Sequence, residues 1–447
     1  MKRAAIASVV LAALVVGACG GGGGDDKAKD DQSNAARSSN PVTITFWVGF
    51  EQRELGVIKD AVAAFHKTHP NITVKTVGAV SDDKIIAAIR GGNAPDAVQS
   101  FSADNTGAFC SSGGWIDLEP YMNRDKISVD DFPKPVQSYT QFNGTRCALP
   151  MLADTYGLYY NKKLFAKAGL KDPPKTMSQL ADYAKKLTTK DSKGKLDVVG
   201  YDPAQGFYEN APAHYAPLFG AQWVNADGKS SLAASPGWTE FLNWQKGLVD
   251  FYGYDALRRW QAGAGEEFSP QNAFERGKLA MAMDGEFRTA FIKAEHPELD
   301  YGTAPMPVSD SHPELYGAGY VTGNIVGIPK TARNKDAAWE LIRYLTTDDH
   351  ALAILSNGLR NVPTTIASLK SSELAPDPQF KVFMDIFAHP QTATTPITAA
   401  GSANQELFQN MVVKHQAGKV PDLKAALATT DKQIDAQLAQ SAGAQVP

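Results

Sequence analysis

The sequence has little cysteine, little net charge and almost no long apolar stretch. Only three of its 447 residues are cysteine, and its formal net charge is −4. This mild acidity argues against nucleic-acid binding, which requires a basic stripe. After the first residues, no stretch reaches the about 20 apolar residues that a helix needs to span a bilayer. These absences predict a soluble globular body.

The short motifs that identify several enzyme classes are also missing. The sequence has no Walker A motif, no HExxH and no GxSxG, and its eight histidines are scattered. His66 and His69 are close, but they stand beside Pro70 at a predicted helix end, so we expect no metal site there. Carboxylates are plentiful, and a glycoside hydrolase needs only two of them about 5–10 Å apart. A secreted hydrolase therefore stays open as an alternative.

The first residues have the pattern of an export signal. Lys2 and Arg3 precede an apolar run over residues 4–16, which is within the roughly 7–15 residues of a signal-peptide core. The run ends in Val-Gly-Ala-Cys19, which resembles the lipobox of bacterial lipoproteins. We expect residues 1–18 to be removed and Cys19 to carry the lipid that anchors the protein to the cell membrane. An ordinary secretory signal with an incidental cysteine is the alternative.

Residues 19–41 have the composition of a flexible tether. They begin with five glycines over 20–24 and continue with Asp, Lys, Ser and Asn. Such segments cannot bury enough apolar surface to fold. About 400 residues remain for the folded part, more than one typical core contains, so two lobes are expected.

The two other cysteines, Cys110 and Cys147, form an even pair in an oxidising compartment. A bridge over their separation would contribute roughly 3–4 kcal/mol in the chain-entropy model. We favour this disulfide over the alternative of two buried free thiols.

Periodicity along the chain predicts alternating strands and helices. Residues 42–48 are β-branched and aromatic, residues 51–66 have apolar positions at helical spacing, and residues 72–77 alternate. A helix capped by Ser178 and a short helix over 271–276 are predicted further on. This order predicts an α/β fold with mainly parallel strands.

Several segments together resemble the maltose-binding-protein-like family of carbohydrate-binding proteins of ABC importers. Each is a weak signal alone, but they occur in order and at the usual separations. They are GGNAPDAV at 91–98, NG at 143–144, LP at 149–150, YYNKKLFAKAG at 159–169, FERGKLAMAMDG at 274–285, PMP at 305–307 and AAWE at 337–340. One position departs from the family pattern, because Phe287 stands where the family usually has Trp.

The resemblance implies a periplasmic-binding-protein fold, in which two α/β lobes are joined by a hinge with three chain crossings. By this analogy the N-lobe contains residues 42–152 and 321–367, and the C-lobe contains 153–320 and 368–440. The crossings would lie near residues 152–154, 317–320 and 369–376. Glycines at 317 and 319 suit a hinge, since glycine absorbs large backbone changes.

The candidate ligand-binding residues follow predicted strand ends or match positions where the family contacts sugar. Aromatic rings stack on the apolar faces of a sugar, and carboxylates, amides and Arg bind its hydroxyl rim. Asp154 is the first-ranked residue, and Arg360 is expected to pair on the surface. The candidates are Glu51, Gln52, Ser100, Phe101, Asp104, Asp154, Tyr156, Tyr208, Glu209, Trp223, Glu286, Phe287, Arg288, Gly319 and Tyr320.

The resemblance predicts a monomeric, non-enzymatic receptor that uses no cofactor or metal. It would capture a carbohydrate by closing its lobes and deliver it to the transmembrane subunits of an ABC permease. For several candidates, including Glu51, Phe101 and Trp223, a helix-start or core-packing role is the alternative. A glycerol phosphodiester, a polyamine or a metal as ligand of the same fold also stays open.

Overall fold

The part of the chain that can be described structurally is its folded body. The computed structural model describes residues 40–204 and 206–443. The predicted signal peptide, Cys19 and nearly all of the predicted tether lie outside the described residues. None of the described helices is long and apolar enough to cross a membrane.

The strands alternate with helices in the N-terminal part, as periodicity predicts. β1 and β2 are rich in β-branched residues, and β4 is the longest strand. The strands in chain order are β1 Val42–Trp47, β2 Ile72–Val77, β3 Ala97–Ser100, β4 Leu149–Asn161, β5 Thr189–Lys190, β6 Leu196–Tyr201, β7 Leu279–Gly285, β8 Tyr301–Ala304 and β9 Val321–Gly327.

The helices pack against the strands through their apolar faces. In the first helix, Ile58, Ala61, Val62 and Phe65 recur at helical spacing and are buried. The helices are α1 Gln52–Thr68, α2 Asp82–Arg90, α3 Thr106–Ser111, α4 Glu119–Arg124, α5 Lys134–Tyr139, α6 Lys162–Lys167, α7 Met177–Leu187, α8 Pro212–Tyr215, α9 Pro236–Tyr252, α10 Tyr254–Gln261, α11 Arg288–Glu295, α12 Lys335–Thr347, α13 Asp349–Leu359, α14 Pro378–Ala388, α15 Ala403–Gln416 and α16 Leu423–Gly443.

The described strands form one mixed sheet. Its order is β2-β1-β3-β9-β4-β7-β6-β5, and β8 pairs with β4 beside this path. The pairs β1–β2, β1–β3 and β6–β7 are parallel. The expectation of mainly parallel strands is thus wrong for the described sheet as a whole, since β4 and β9 run antiparallel to their neighbours and the edge strand β5 runs antiparallel to β6.

Strand β4 changes its pairing partner midway along its length. Residues 149–155 pair with β9, and residues 156–161 pair with β7 and β8. Almost every residue of β4 is buried, so the strand has no solvent-facing side. The change of partner falls between Thr155 and Tyr156, directly after the first predicted crossing. The lobe boundaries themselves stay a prediction.

Two local predictions are wrong, and side-chain hydrogen bonds explain both. Helix α7 is capped by Thr176, whose Oγ1 accepts from the Gln179 amide at 3.3 Å, and not by Ser178. The segment 271–276 forms turns, because the Asn272 side chain accepts from the Phe274 amide at 2.9 Å. Such local bonds compete with the helical backbone pattern.

Cys110 and Cys147 form a disulfide, with their Cα atoms 5.4 Å apart and a sequence separation of 37 residues. Cys110 lies in α3, and Cys147 is buried just before β4. The bridge therefore ties a peripheral helix to the entry of the central strand.

We predict that the double substitution Cys110→Ser and Cys147→Ser lowers the free energy of unfolding by about 3–4 kcal/mol, because the unfolded chain loses a constraint. Urea unfolding with and without reductant measures this. Reductant should destabilise the wild type and leave the double variant unchanged. Equal stability of wild type and variant in the absence of reductant would contradict the prediction.

Candidate functional site

Three side chains meet where β4 changes partner: Asp154, Glu286 and Asn361, named here the Asp154 cluster. The Asn361 amide Nδ2 donates to Asp154 Oδ1 and, at 3.1 Å, to Glu286 Oε1. Glu286 Oε2 accepts from the Thr155 amide at 2.8 Å. Asp154, Glu286 and Asn361 are 8%, 0% and 6% exposed. Two carboxyl groups and one amide thus form a buried hydrogen-bonded group.

Backbone register brings these three segments together. Tyr156 stands opposite Gly285, so the residue after β7, Glu286, falls beside Thr155. Ala153 and Val362 exchange both backbone hydrogen bonds at 2.9 Å, which places Asn361 next to Asp154. The cluster is therefore set by strand pairing and not by flexible side chains.

The two carboxyl groups of the cluster cannot both be charged at low cost. Burial raises the pKa of Asp154 to about 7, although its hydrogen bonds to Asn361 and Glu286 lower it. Burial also raises the pKa of Glu286 well above its usual range, and the neighbouring Asp154 raises it further. Adjacent carboxylates in a low-dielectric site retain a shared proton.

A triangle of three aromatic rings lies beside the cluster. The His214 centroid is 4.4 Å from Tyr156 and 4.3 Å from Tyr320, with both ring pairs stacked, and the two tyrosine centroids are 5.9 Å apart. Tyr208 meets His214 edge-on at 4.9 Å and keeps 46% of its surface exposed. Burial lowers the pKa of His214 to about 3, so the ring is neutral. Its Nδ1 donates to the Glu209 carbonyl at 2.8 Å.

Tyr156 and Tyr320 are therefore almost fully buried, and Tyr208 is the tyrosine of this group whose side chain is exposed to solvent. The Tyr320 hydroxyl is also satisfied internally, by Thr395 Oγ1 at 2.9 Å. Gly319 donates its amide to Thr392 Oγ1 at 3.2 Å. The predicted site residues include both tyrosines but not His214, because a lone histidine carries no spacing signal.

The residues that follow β3 have three different environments. Ser100 Oγ donates to Asp82 Oδ2 at 2.9 Å and is buried. Phe101 is 47% exposed, and its ring packs edge-on against Phe50 at 4.8 Å. Burial raises the pKa of Asp104 to about 6. Phe101 is thus the residue of this loop with free apolar surface.

At the start of α1, the predicted contacts Glu51 and Gln52 are exposed, and Glu54 is turned inward. Glu54 is half-buried, and its carboxylate lies near enough to raise the pKa of Asp154. Arg53 Nη1 donates to the Gly358 carbonyl at 2.7 Å. The role of Glu51 and Gln52 in ligand binding stays a prediction.

The loop after β7 contains an ion pair that occupies Arg288. This guanidinium is 1% exposed and lies 2.7 Å from Asp284 Oδ2 and 3.1 Å from Glu275 Oε1. The centroid of the Phe287 ring lies 5.8 Å from that of Phe268. Phe268 is 56% exposed and is not among the predicted site residues. Arg288 thus neutralises buried carboxylates, and the exposed aromatic surface near this loop belongs to Phe268.

The remaining candidates in this part of the chain are largely buried. Glu209 is 2% exposed, and burial raises its pKa well above the usual range. Trp223 is 7% exposed and packs edge-on against Trp238 at 4.8 Å and Phe408 at 5.6 Å. Trp223 also lines a cavity of about 240 Å³ together with Tyr320.

Arg360 is expected to pair on the surface, but the structure buries its side chain. Arg360 is 7% exposed, its Nη2 lies 3.4 Å from Asp377, and its guanidinium lies 5.4 Å above the Phe380 ring. Its backbone is left-handed, with φ 66°, and ends α13. This turn directs the chain into the bridge that carries Asn361.

No group of His, Cys, Asp and Glu among the described residues has the arrangement that could hold a metal ion.

Comparison with known proteins identifies the kind of chain that carries this site. A family model described as bacterial extracellular solute-binding protein matches residues 51–351. A binding protein of Brucella abortus is 30% identical over 237 residues, which are 52% of this chain and 54% of that protein. The match thus spans about half of that relative's length.

Two further similarities cover more of the chain. The mannitol-binding protein of Pseudomonas aeruginosa is 26% identical over 345 residues, or 72% of this chain and 73% of the relative. A solved structure with mannotriose bound matches with a TM-score of 0.77 at 24% identity, over 88% of this chain and 100% of that one. The fold is therefore of the periplasmic-binding-protein type, as predicted.

We predict that the Asp154 cluster makes stability fall as pH rises from about 4 to about 7. Over this window the folded protein keeps a proton that the unfolded chain has released, so the slope of stability against pH is negative. The substitution Asp154→Asn should reduce this slope by up to about 1.4 kcal/mol per pH unit. Urea unfolding at a series of pH values measures it.

The control for this experiment is Asp60→Asn, which removes an exposed carboxylate. It should keep the wild-type slope. A wild-type slope in Asp154→Asn would mean that the cluster holds no shared proton.

Proposed function

Because the chain belongs to the family of bacterial extracellular solute-binding proteins, we propose that it captures a carbohydrate outside the cell and delivers it to an ABC importer. The observation that carries this proposal is the Asp154 cluster beside the partly exposed ring of Tyr208. Tyr208 is 46% exposed, and its ring meets Tyr156, which follows Thr155 in β4, at a centroid distance of 6.4 Å.

This combination suits a sugar better than other solutes. Aromatic rings can stack on the apolar faces of a pyranose, while carboxyl and amide groups accept and donate hydrogen bonds at its rim. A carboxyl pair that shares a proton offers both a donor and an acceptor, as a hydroxyl requires. The mannitol-binding relative and the mannotriose-bound structure support a hydroxyl-rich ligand.

Charge argues against an anionic ligand and leaves a cation as the second choice. Carboxyl groups predominate at the site, in Glu54, Asp104, Asp154 and Glu286, whereas Arg53 already donates to a backbone carbonyl. A phosphodiester would require convergent basic groups. A polyamine is therefore the alternative that the site chemistry leaves open.

The geometry of the two carboxyl groups disfavours glycoside hydrolysis. Hydrolases hold their catalytic carboxyl groups about 5–10 Å apart, with the scissile bond between them. Asp154 and Glu286 instead both accept from the amide nitrogen of Asn361, which occupies the space between their carboxyl groups. The relatives are named as binding proteins. We infer a receptor and not an enzyme.

Capture would proceed by a shift between open and closed forms. Ligand that contacts residues of both lobes stabilises the closed form through its higher affinity for that form. Strand β4 supports this view, because its two halves pair with different parts of the sheet. The transmembrane subunits of the importer would then recognise the closed monomer.

The lipid anchor on Cys19 would keep the receptor at the cell membrane near its permease. This proposal rests on the lipobox-like sequence that ends at Cys19 and on the glycine-rich segment after it. Mass spectrometry of the mature N-terminus tests it, because an unmodified Cys19 would exclude the anchor.

We predict that a carbohydrate, and neither a polyamine nor a phosphodiester, raises the melting temperature of the purified protein. A ligand that binds only the native state stabilises it. When the ligand is in excess, this stabilisation grows with the logarithm of the ratio of ligand concentration to Kd. A thermal-shift panel of these three classes measures the effect. Stabilisation by polyamines alone would replace the proposal with its alternative, and turnover of an oligosaccharide would contradict the receptor function.

We predict that Asp154→Ala weakens binding of the best carbohydrate by about 10–100-fold, because a charge-assisted hydrogen bond contributes roughly 1.5–3 kcal/mol. Isothermal titration calorimetry measures the change. The matched control is Asp202→Ala, which removes another buried carboxyl group, bonded to Gln261 at 2.7 Å. Wild-type affinity in Asp154→Ala would remove Asp154 from the site.

A further inference from the structure

Arg146 is a buried cation that has no counter-ion in the described part of the chain. Three arginines are buried among the described residues, and two of them pair with carboxylates: Arg288 at 2.7 Å from Asp284 and Arg360 at 3.4 Å from Asp377. Arg146 is 8% exposed, yet within residues 40–204 and 206–443 no carboxylate lies within 4.0 Å of its guanidinium. A buried charge without a partner is costly, so this exception requires a physical reason.

One edge of the Arg146 guanidinium is fixed, and the other is free. Nη1 donates to the Gln137 carbonyl at 3.2 Å and to Thr140 Oγ1. Nε and Nη2 have no hydrogen-bond partner in the described part of the chain. These two groups form the planar fork that binds two oxygens of a carboxylate or phosphate at once. The protein thus holds the guanidinium by one edge and presents the other.

The side chain lines a polar pocket of about 340 Å³ between α4 and α5 and the turn at Gly144. Lys134, Ser138 and Gln141 also line it, so a second cation, a hydroxyl and an amide surround the fork. Burial lowers the pKa of Arg146, which the more distant Glu119 and Asp117 partly offset. Glu119 lies at the pocket with an exposed side chain and competes with an incoming anion.

We propose that this pocket binds a small oxyanion, either a carboxylate or a phosphate, through the free Nε–Nη2 edge of Arg146. Lys134 adds positive charge at the rim, and Ser138 and Gln141 supply neutral polar groups. None of the residues that line this pocket belongs to the Asp154 cluster or to the rings beside it. The proposal therefore does not depend on the identity of the transported solute.

The test compares thermal unfolding of the wild type in sodium phosphate, sodium acetate and sodium chloride at matched ionic strength. Phosphate or acetate should raise the melting temperature by at least about 2 °C more than chloride does. The anion that gives the larger shift identifies the phosphate or the carboxylate as the ligand. Equal melting temperatures in all three salts overturn the proposal.

Three variants separate binding from a general salt effect. Arg146→Lys keeps the charge but loses the fork, so the excess shift should disappear; an undiminished shift contradicts the proposal. Glu119→Gln removes the competing carboxylate and should enlarge the shift. Glu314→Gln makes the same charge change outside the pocket and should match the wild type. If Arg146→Lys fails to fold, an unchanged shift in Glu119→Gln overturns the proposal by itself.

Discussion

The central strand β4 is buried along nearly its whole length, and the constraint on which the site depends is the change of its partner between Thr155 and Tyr156. Before this point its backbone groups pair with β9, and after it they pair with β7 and β8. A buried backbone must satisfy its hydrogen bonds, so the register of all three neighbours is fixed by one strand. The segments that follow β7 and α13 are brought to Asp154 for the same reason.

This arrangement produces a polar group that would be unfavourable in an ordinary core. Asp154 and Glu286 are buried side by side, and burial raises the pKa of both carboxyl groups. Hydrogen bonds from Asn361 and the Thr155 amide offset part of the desolvation cost. Proteins tolerate such groups where a ligand uses them, since perturbed carboxyl groups concentrate at functional sites. Tyr208, which contacts Tyr156, provides apolar surface beside it.

Arginines illustrate how differently one residue type is used in this protein. Arg288, which has the sequence position of a ligand contact, neutralises Asp284 and Glu275 in the interior. Arg360, expected at the surface, is buried and ends α13. Arg146, in no predicted site, is buried and forms no ion pair with the described residues. Charge and position along the chain do not reveal which of these roles a guanidinium takes.

The sequence by itself determined the α/β class and the family, because ordered motifs and hydrophobic periodicity are local properties, and it singled out Asp154 as a candidate. Tertiary structure alone decided which side chains share the site. Asn361 and His214 reach it through strand pairing and ring stacking between distant segments, which no spacing encodes. At α1 the helical phase turned Glu54 inward and left Glu51 and Gln52 exposed. Burial, and with it the raised pKa of the Asp154 and Glu286 carboxyl groups, exists only once β4 has been enclosed by its partners.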